Sequence, residues 1–400
     1  MSISQFETQT VLWPLVLLAS WWVGERANQY WRLPRAGMYA VIGLIAGLFV
    51  RPHALPGHEV LSFVANVALA LLLFELGLRI NLHWFRANPW ILVIGLVQAG
   101  LCVVGSWLVL GWFIEDTQVR LIASVLTIAA SPAALVTVVR ELRSSGQVTE
   151  RALHVCAITS LLAAVALKFV IGQWHLTVRD DWTGALTSSL YAIIASLVAG
   201  TLAGILINFL RNPDPRSDAS IVYTLTVLLL TALSLAIFSS PLLAALGCGI
   251  TLRQISLPAA GPPVDFSSIG RLTALFLFVY VAWTVPWPDT WQMWLLGVIL
   301  LPIRVTAIAL THVTFSRLSG VSPRKALLSA LALTPMSVYA ILLIEHAHQA
   351  GVTPAQPALH QLAALIVLLE ITGPLIIQFV IGAAGEASAR NAKSAQTQRG

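Results

Sequence analysis

The sequence predicts an all-α polytopic membrane protein with about thirteen transmembrane helices, and three observations support this fold class. Of the 400 residues, 58% are hydrophobic and only 10% are charged, whereas a soluble domain carries roughly 25% charged residues. The chain divides into apolar segments close to the ~20 residues that a transmembrane helix needs. Its basic residues also collect in alternate loops. Together these features place most of the chain inside a bilayer.

The predicted segments are separated by short polar or proline-containing stretches, and the division within residues 219–255 depends on Pro241 alone. The predicted spans are 8–24, 36–50, 60–80, 89–113, 119–139, 151–172, 183–209, 219–238, 240–255, 267–286, 291–316, 323–345 and 358–383. No loop is long enough to form a soluble domain. We therefore expect one transmembrane domain over residues 1–384 and a short, disordered cytoplasmic tail over residues 385–400.

The distribution of basic residues predicts the orientation of the chain. Of the 23 Lys and Arg residues, 18 lie in or next to loops that follow odd-numbered segments and only 3 in or next to loops that follow even-numbered ones. Because Lys and Arg collect on the cytoplasmic side, the N-terminus is expected outside and the C-terminus in the cytoplasm, with the protein in the cell (inner) membrane. The net charge of +6 then reflects topology, and no nucleic-acid partner is expected.

Two predicted helices carry matching interruptions. Pro132 interrupts the fifth segment and Pro335 interrupts the twelfth, and proline inside a helix removes one backbone hydrogen bond. Two ordinary kinks would explain the prolines. However, the segments are an odd number of crossings apart and therefore run antiparallel. This arrangement is typical of an inverted repeat in which two broken helices cross near the membrane midplane and form a transport site.

Five stretches have the order and spacing of motifs in one family. They include an RLP sequence before a G-x-x-x-G stripe, an LLLFELGL motif and both proline-containing segments: Arg32–Gly47, Leu71–Leu82, Ser131–Arg143, Ser240–Leu252 and Ser319–Leu343. In these stretches the chain resembles the monovalent cation:proton antiporters, which share the sodium/hydrogen exchanger domain. The resemblance implies a core domain with crossed broken helices beside a scaffold domain that forms a homodimer. It also implies exchange of Na⁺ or K⁺ for protons by alternating access.

The sequence departs from this family at the position of the ion-binding acids. The family carries a pair ending in Asp on the helix after the first broken one, and alignment places Thr159-Ser160 there. No carboxylate residue occurs between Glu150 and Asp180. The Arg-Gly-Glu that follows the second proline in the family is also replaced by uncharged residues. The chain thus has the motifs of the family in the same order but lacks its usual proton carrier.

Three charged residues inside predicted helices are candidates to replace the missing acid pair, as proton carriers or as a fixed charge. Glu75 and Glu370 are possible proton carriers, because burial raises the pKa of a carboxyl group by up to several units and intramembrane acids are often functional. Arg304 stays protonated and would serve as a fixed counter-charge. A structural alternative is open for each of them: Arg304 could form an ion pair with Glu370 or Glu75.

Hydroxyl residues are frequent around the predicted crossing. Their oxygens could coordinate a monovalent cation, or could cap broken helix ends and bond to the preceding turn. The candidates are Thr127, Ser131, Thr159, Ser160, Thr334 and Ser337.

Three hypotheses for function remain open on the sequence. The first is a cation:proton antiporter with a relocated proton carrier. The second is a transporter of the same fold for an anion or organic solute, since Arg304 without a neighbouring acid favours anions electrostatically. The third is a non-transporting regulatory membrane protein. The chain has no enzyme motif or metal-ligand spacing, so we expect neither enzymatic activity nor a cofactor, and no metal beyond a transported cation.

Overall fold

The structure, a computed structural model, describes residues 3–49, 58–179, 182–210, 219–255 and 267–387. The described chain forms sixteen helices. In order they are α1 (Ile3–Trp31), α2 (Arg35–Phe49), α3 (His58–Arg79), α4 (Leu82–Ala87), α5 (Trp90–Leu110), α6 (Thr117–Leu126), α7 (Pro132–Glu141), α8 (Gln147–Arg179), α9 (Trp182–Leu210), α10 (Ala219–Ala236), α11 (Pro241–Ile255), α12 (Ser267–Thr284), α13 (Trp291–Thr314), α14 (Pro323–Ala332), α15 (Ser337–Gln349) and α16 (Ala355–Ala384).

The helices confirm the predicted fold class. The fifth predicted segment is divided into α6 and α7, and the twelfth into α14 and α15. The other eleven segments each correspond to one helix, and α4 is a short additional helix that the hydrophobic pattern does not reveal. Within the described residues, α3, α5, α8, α9, α13 and α16 each contain a stretch long and apolar enough to cross a membrane. The other apolar helices are shorter.

The helices pack in two groups. In the first, α11 lies against α3 and α9, and α2 lies against α1 and α12; we call α1–α3 and α9–α12 the scaffold helices. In the second, α13 lies against α5, α14 and α16, and α5 lies against α6 and α8; we call α5–α8 and α13–α16 the core helices. The broken helices both belong to the core. The core meets the scaffold where α8 lies against α9, α16 against α2, α7 against α3 and α12, and α15 against α12.

Glycines let the scaffold helices approach one another closely. A Cβ atom on Gly249 of α11 would lie 2.2 Å from the carbonyl oxygen of Phe74 in α3. A Cβ atom on Gly200 of α9 would lie 2.3 Å from the carbonyl oxygen of Ala244 in α11. Small residues at such contacts are a main source of helix association in lipid, where apolar surface gives no hydrophobic driving force. The scaffold is therefore held together by backbone-to-backbone packing.

The C-terminal part of the described chain fixes the start of α8. The carboxylate of Glu386 accepts hydrogen bonds from the main-chain N–H groups of Val148 and Thr149, both at 2.8 Å. The hydroxyl of Thr149 donates a third bond at 2.7 Å. A carboxylate at a helix N-terminus satisfies unpaired N–H groups and complements the helix dipole. This cap positions the core helix that carries Thr159 and Ser160.

The close packing of α11 gives a first testable prediction. We expect Gly249→Ala to destabilise the protein by about 1–3 kcal/mol, because the added methyl group forces two backbones apart. Thermal unfolding of the purified protein in detergent measures the effect. Gly247→Ala is the matched control on the same helix, since its Cβ would meet only Leu197 at an ordinary 3.9 Å. Equal unfolding temperatures for the two variants would contradict the proposed packing constraint.

Candidate ion-binding and transport site

The two broken helices leave short non-helical links in the middle of the core. The first link joins Leu126 to Pro132, and the second joins Ala332 to Ser337. Pro132 is the first residue of α7, where a missing N–H group breaks no helical hydrogen bond. The side-chain oxygen of Ser131 caps the same helix by accepting a hydrogen bond from the main-chain N–H group of Ala134 at 3.4 Å. Pro335 lies within the second link.

The side chain of Arg304, from α13, lies between the two links. Its Nε donates to the carbonyl oxygen of Thr334 at 2.9 Å, and its Nη2 donates to those of Ala129 at 2.7 Å and Leu333 at 3.2 Å. Its Nη1 donates to the carbonyl oxygen of Thr127. These carbonyls belong to the C-terminal ends of α6 and α14, where a helix carries unpaired acceptors and partial negative charge. One guanidinium group thus binds both broken ends.

This geometry answers one of the questions that the sequence left open. Arg304 is only 1% exposed, and none of its hydrogen bonds within the described residues goes to a carboxylate. The ion pair between Arg304 and Glu75 that the sequence allowed is therefore not formed. Arg304 is instead a fixed positive charge that supplies the donors that the broken backbone needs.

Glu370 of α16 lies at about the same depth as Arg304. A Cβ atom on Gly297 of α13 would lie 2.7 Å from Ala364 of α16, so the two helices touch at this point. Arg304 follows Gly297 along α13, and Glu370 follows Ala364 along α16, each by about two turns of parallel helices. Gly373, one turn beyond Glu370, packs directly on Pro335 of the second link. Glu370 is 1% exposed. It is therefore a buried acid close to the crossing.

Among the hydroxyl candidates, Thr127 and Thr159 bond to nearby main-chain carbonyls. Thr127 Oγ1 donates to the carbonyl oxygen of Ser124 at 2.6 Å and accepts from the hydroxyl of Ser106 at 3.1 Å. Thr159 Oγ1 lies 3.0 Å from the carbonyl oxygen of Val155, one turn back. Thr127 thus caps the C-terminal end of α6, and Thr159 bonds to the preceding turn within α8. Coordination of a cation by the two threonines stays a prediction.

The remaining hydroxyl candidates flank the start of α15. The side-chain oxygens of Ser160 and Thr334 are buried. Thr334 Oγ1 has no hydrogen-bond partner among the described residues, and the Ser160 hydroxyl lies against the Cys156 thiol. The main-chain carbonyl of Ser160 accepts a hydrogen bond from the Tyr339 hydroxyl at 2.8 Å, which ties α8 to α15. The side chain of Ser337 lies outside the described part of the structure. The crossing therefore brings Ser160, in the position of the expected acid pair, next to the second broken helix.

Glu75 lies in an ion-pair cluster that joins scaffold to core. Its carboxylate accepts hydrogen bonds from Arg140 of α7, one of them from Nε at 3.3 Å, and forms a second ion pair with Arg79 of α3 at 3.1 Å. A Cβ on Gly270 of α12 would overlap the Arg140 guanidinium, so Arg140 also packs on a second scaffold helix. We call Glu75, Arg79 and Arg140 the latch. The structural alternative for Glu75 thus has direct support.

A cavity of about 1050 Å³ lies between scaffold helices α2, α3 and α12 and core helices α15 and α16. We call it the interface cavity. It reaches Ile341, about one turn or ~6 Å from the start of α15, and it extends to the exposed end of that helix at Gln349. Its polar lining includes Glu59, Ser62, Asn66, Tyr280, Asp289 and Glu345. Within the described ranges of the chain, neither Lys nor Arg lines it.

The interface cavity and the latch lie at opposite ends of the boundary between core and scaffold. Ser62 and Glu75 are on the same helix α3, and their separation along it corresponds to about 20 Å at 1.5 Å per residue. The boundary is therefore open at the Ser62 end and held by ion pairs at the Glu75 end.

Comparison with known proteins identifies the family. Residues 15–382 match the family described as sodium/hydrogen exchanger, transmembrane. The chain belongs to this family. The exchanger family and its fold are those of a transporter, and the protein is a multi-pass membrane protein. The sequence resemblance to monovalent cation:proton antiporters is thus confirmed.

Solved structures show the same fold. A structure of the sodium proton antiporter MjNhaP1 from Methanocaldococcus jannaschii at pH 8 is similar with a TM-score of 0.67 and 16% identity, covering 94% of this chain and 98% of that one. A structure of MjNhaP1 from electron microscopy is similar with a TM-score of 0.70 and 16% identity, covering 97% of both chains. None of the curated proteins matches the sequence. At this identity, the likeness concerns the fold.

Within this exchanger fold, sequence reasoning missed a contact across the cavity. The hydroxyl of Ser62 in α3 donates a hydrogen bond to the carboxylate of Glu345 in α15. The two residues lie in distant parts of the chain, and no local motif connects them. The only sequence signal was the presence of an acid near the end of the twelfth predicted segment.

The role of Arg304 gives a second prediction. We expect Arg304→Ala to lower the free energy of unfolding by about 3 kcal/mol or more, because four buried carbonyls lose a charged donor. Arg304→Lys should recover part of this loss, since an ammonium group is a point charge with fewer donors. Thermal unfolding in detergent measures both, with exposed Arg317→Ala as control. Equal stability of Arg304→Ala and Arg317→Ala would contradict the bridging role.

Proposed function

We propose that this member of the exchanger family is a secondary active transporter that exchanges a monovalent cation, Na⁺ or K⁺, for protons by alternating access. The observation that carries the proposal is the asymmetric boundary between core and scaffold. A cavity lined by carboxylates opens at one end, and the latch closes the other. Movement of the core relative to the scaffold would close the cavity and open the boundary at the latch.

In this mechanism the core helices move as one unit. Arg304 binds the carbonyls of both broken helices, so these helices can shift together without exposing unpaired backbone groups to lipid. The tightly packed scaffold provides the fixed surface. The latch is the contact that must break, because it joins α7 of the core to α3 of the scaffold.

We propose Glu370 as the proton carrier. It is buried at the depth of the crossing, one turn from the glycine that packs on Pro335. Glu75 binds two arginines in the latch, so its carboxylate already has a structural role. A buried carboxyl group that alternates between protonated and ionised forms is the simplest carrier for coupled exchange.

The proposed orientation follows the basic residues. With the N-terminus outside and the C-terminus in the cytoplasm, the interface cavity faces the outside and the latch lies on the cytoplasmic side of a cell (inner) membrane. We also propose a homodimer formed by the scaffold. The large apolar side chains that α9 and α10 expose, such as Phe209 and Leu229, are available to lipid or to a second copy.

One observation favours a second candidate, transport of an anion or organic solute. The positive charge of Arg304 is buried, and its hydrogen bonds go only to neutral carbonyls within the described residues. A fixed cation in a low-dielectric centre attracts anions. The exchanger hypothesis therefore requires that an acid outside the contact shell of Arg304 carries the proton.

A transport assay tests the proposed function. In proteoliposomes with a pH gradient, we expect Na⁺ or K⁺ to collapse the gradient, and we expect Glu370→Gln to abolish this activity because the carrier can no longer ionise. Glu75→Gln should alter the rate while retaining coupled exchange. Exposed Glu115→Gln is the control. If folded protein moves no protons with any of these cations, antiport is wrong, and flux of anions across the same liposomes becomes the next measurement.

A labelling experiment tests the latch. A single cysteine in place of Ile341, at the floor of the cavity, should react with a membrane-impermeant maleimide, while Cys102, Cys156 and Cys248 are buried. Adding Glu75→Gln should slow labelling at least about threefold, since it weakens the contact that favours the cavity-open state. Glu115→Gln is the control. An unchanged labelling rate would show that the latch does not bias the two states.

A further inference from the structure

A carboxylate and a hydroxyl meet across the boundary between core and scaffold. Glu345, half-buried on α15, accepts a hydrogen bond from Ser62 Oγ of α3 inside the interface cavity. The Ser62 hydroxyl gives its proton to the carboxylate. Its oxygen also has the Tyr280 hydroxyl as a hydrogen-bond partner, which leaves one of its two lone pairs for a cation. Two oxygen groups from opposite sides of the boundary therefore lie together in a space open to solvent.

A third oxygen lies one helical turn deeper on α3. Asn66, 2% exposed, donates from Nδ2 to the main-chain carbonyl of Ser62 at 3.0 Å. Because a carbonyl only accepts, this bond fixes the orientation of the amide. Asn66 Oδ1 is then a buried acceptor without a hydrogen-bond partner among the described residues. A buried amide oxygen without a donor is costly, and a bound cation would satisfy it.

The charge of the interface cavity favours a cation. Glu59, Asp289 and Glu345 line it, and no Lys or Arg among the described residues does. A cleft walled by low-dielectric protein and carrying one sign of charge concentrates ions of the opposite sign. The cavity is thus an attractive place for a cation independently of the exact geometry at Ser62.

The crossing itself offers fewer oxygens than the broken helices suggest. Four link carbonyls, including those of Thr127 and Thr334, already bind the guanidinium of Arg304. The same guanidinium repels a second cation. A cation that approaches from the cavity therefore finds its oxygen ligands before it reaches the crossing.

We propose that Glu345, Ser62 and Asn66 form a binding site for a monovalent cation in the interface cavity. Carboxylate, hydroxyl and amide oxygens are hard ligands suited to alkali cations. The single carboxylate at this point balances one positive charge, so a monovalent ion leaves no uncompensated charge in a partly buried site. The inference rests on the proposed function for the identity of the bound ion as the transported substrate.

A binding measurement on the full-length protein in detergent tests the site without any transport. Thermal unfolding is followed in NaCl, KCl or LiCl against choline chloride at equal ionic strength, since a ligand that binds the folded state raises the unfolding temperature. We expect one of the alkali cations to raise it. Glu345→Gln should remove the shift, and Asn66→Ala and Ser62→Ala should each weaken the apparent affinity by ~10-fold.

Two matched controls keep the test specific. Glu59→Gln removes the same charge from the same cavity at an exposed position and should retain the shift, and Glu115→Gln, at an exposed position outside the cavity, should also retain it. The proposal is overturned if no alkali cation exceeds choline, or if either control removes the shift as fully as Glu345→Gln. If Glu345→Gln does not fold, the Ser62→Ala and Asn66→Ala variants test the site instead. Unchanged cation affinity in both of them overturns the proposed site.

The binding result and the transport result can fail separately. Cation binding at Glu345 without proton movement in proteoliposomes would refute antiport and leave the site standing. Proton-coupled exchange with no loss of cation binding in Glu345→Gln would support the proposed function and refute the site.

Discussion

Four main-chain carbonyl oxygens converge on the guanidinium of Arg304, and the arrangement of the core depends on this contact. Two helices that end in the middle of a membrane protein leave unpaired acceptors where lipid cannot satisfy them. Arginine is suited to this position because it offers five donors in a rigid fork and stays charged. The same residue that makes the two breaks compatible with a membrane also places a permanent positive charge between them.

The other contacts divide the molecule into two tightly packed groups of helices, the scaffold and the core, with a boundary between them. Scaffold helices meet backbone to backbone at Gly249 and Gly200, where no side chain can intervene. The core is joined through Arg304 and through the bond from Tyr339 to Ser160. Between these two bodies lie a large cavity and a few polar contacts. The boundary therefore combines helix packing with a solvent-open space, unlike the interiors of the two groups.

Much of this architecture is visible in the sequence, and the limits have physical reasons. Apolar segment length and the alternation of basic loops predict the helices, and Pro132 and Pro335 predict the two breaks, because these signals are local. The four partners of Arg304 leave no such signal, since a carbonyl is common to every residue. The contact between Ser62 and Glu345 joins distant parts of the chain and depends on packing. For the same reason the sequence could name Glu75 but not its partner Arg140.

The buried charge of Arg304 has an electrical consequence. A charge that belongs to a moving body is carried with it through the membrane field, whether or not an ion is bound. Moving one elementary charge across 100 mV changes the free energy by about 2.3 kcal/mol, and a partial displacement changes it in proportion. If the core shifts along the membrane normal, its resting position therefore depends on the voltage across the bilayer. In the proposed exchange, the empty and the ion-loaded core differ in net charge and would therefore respond to that voltage by different amounts.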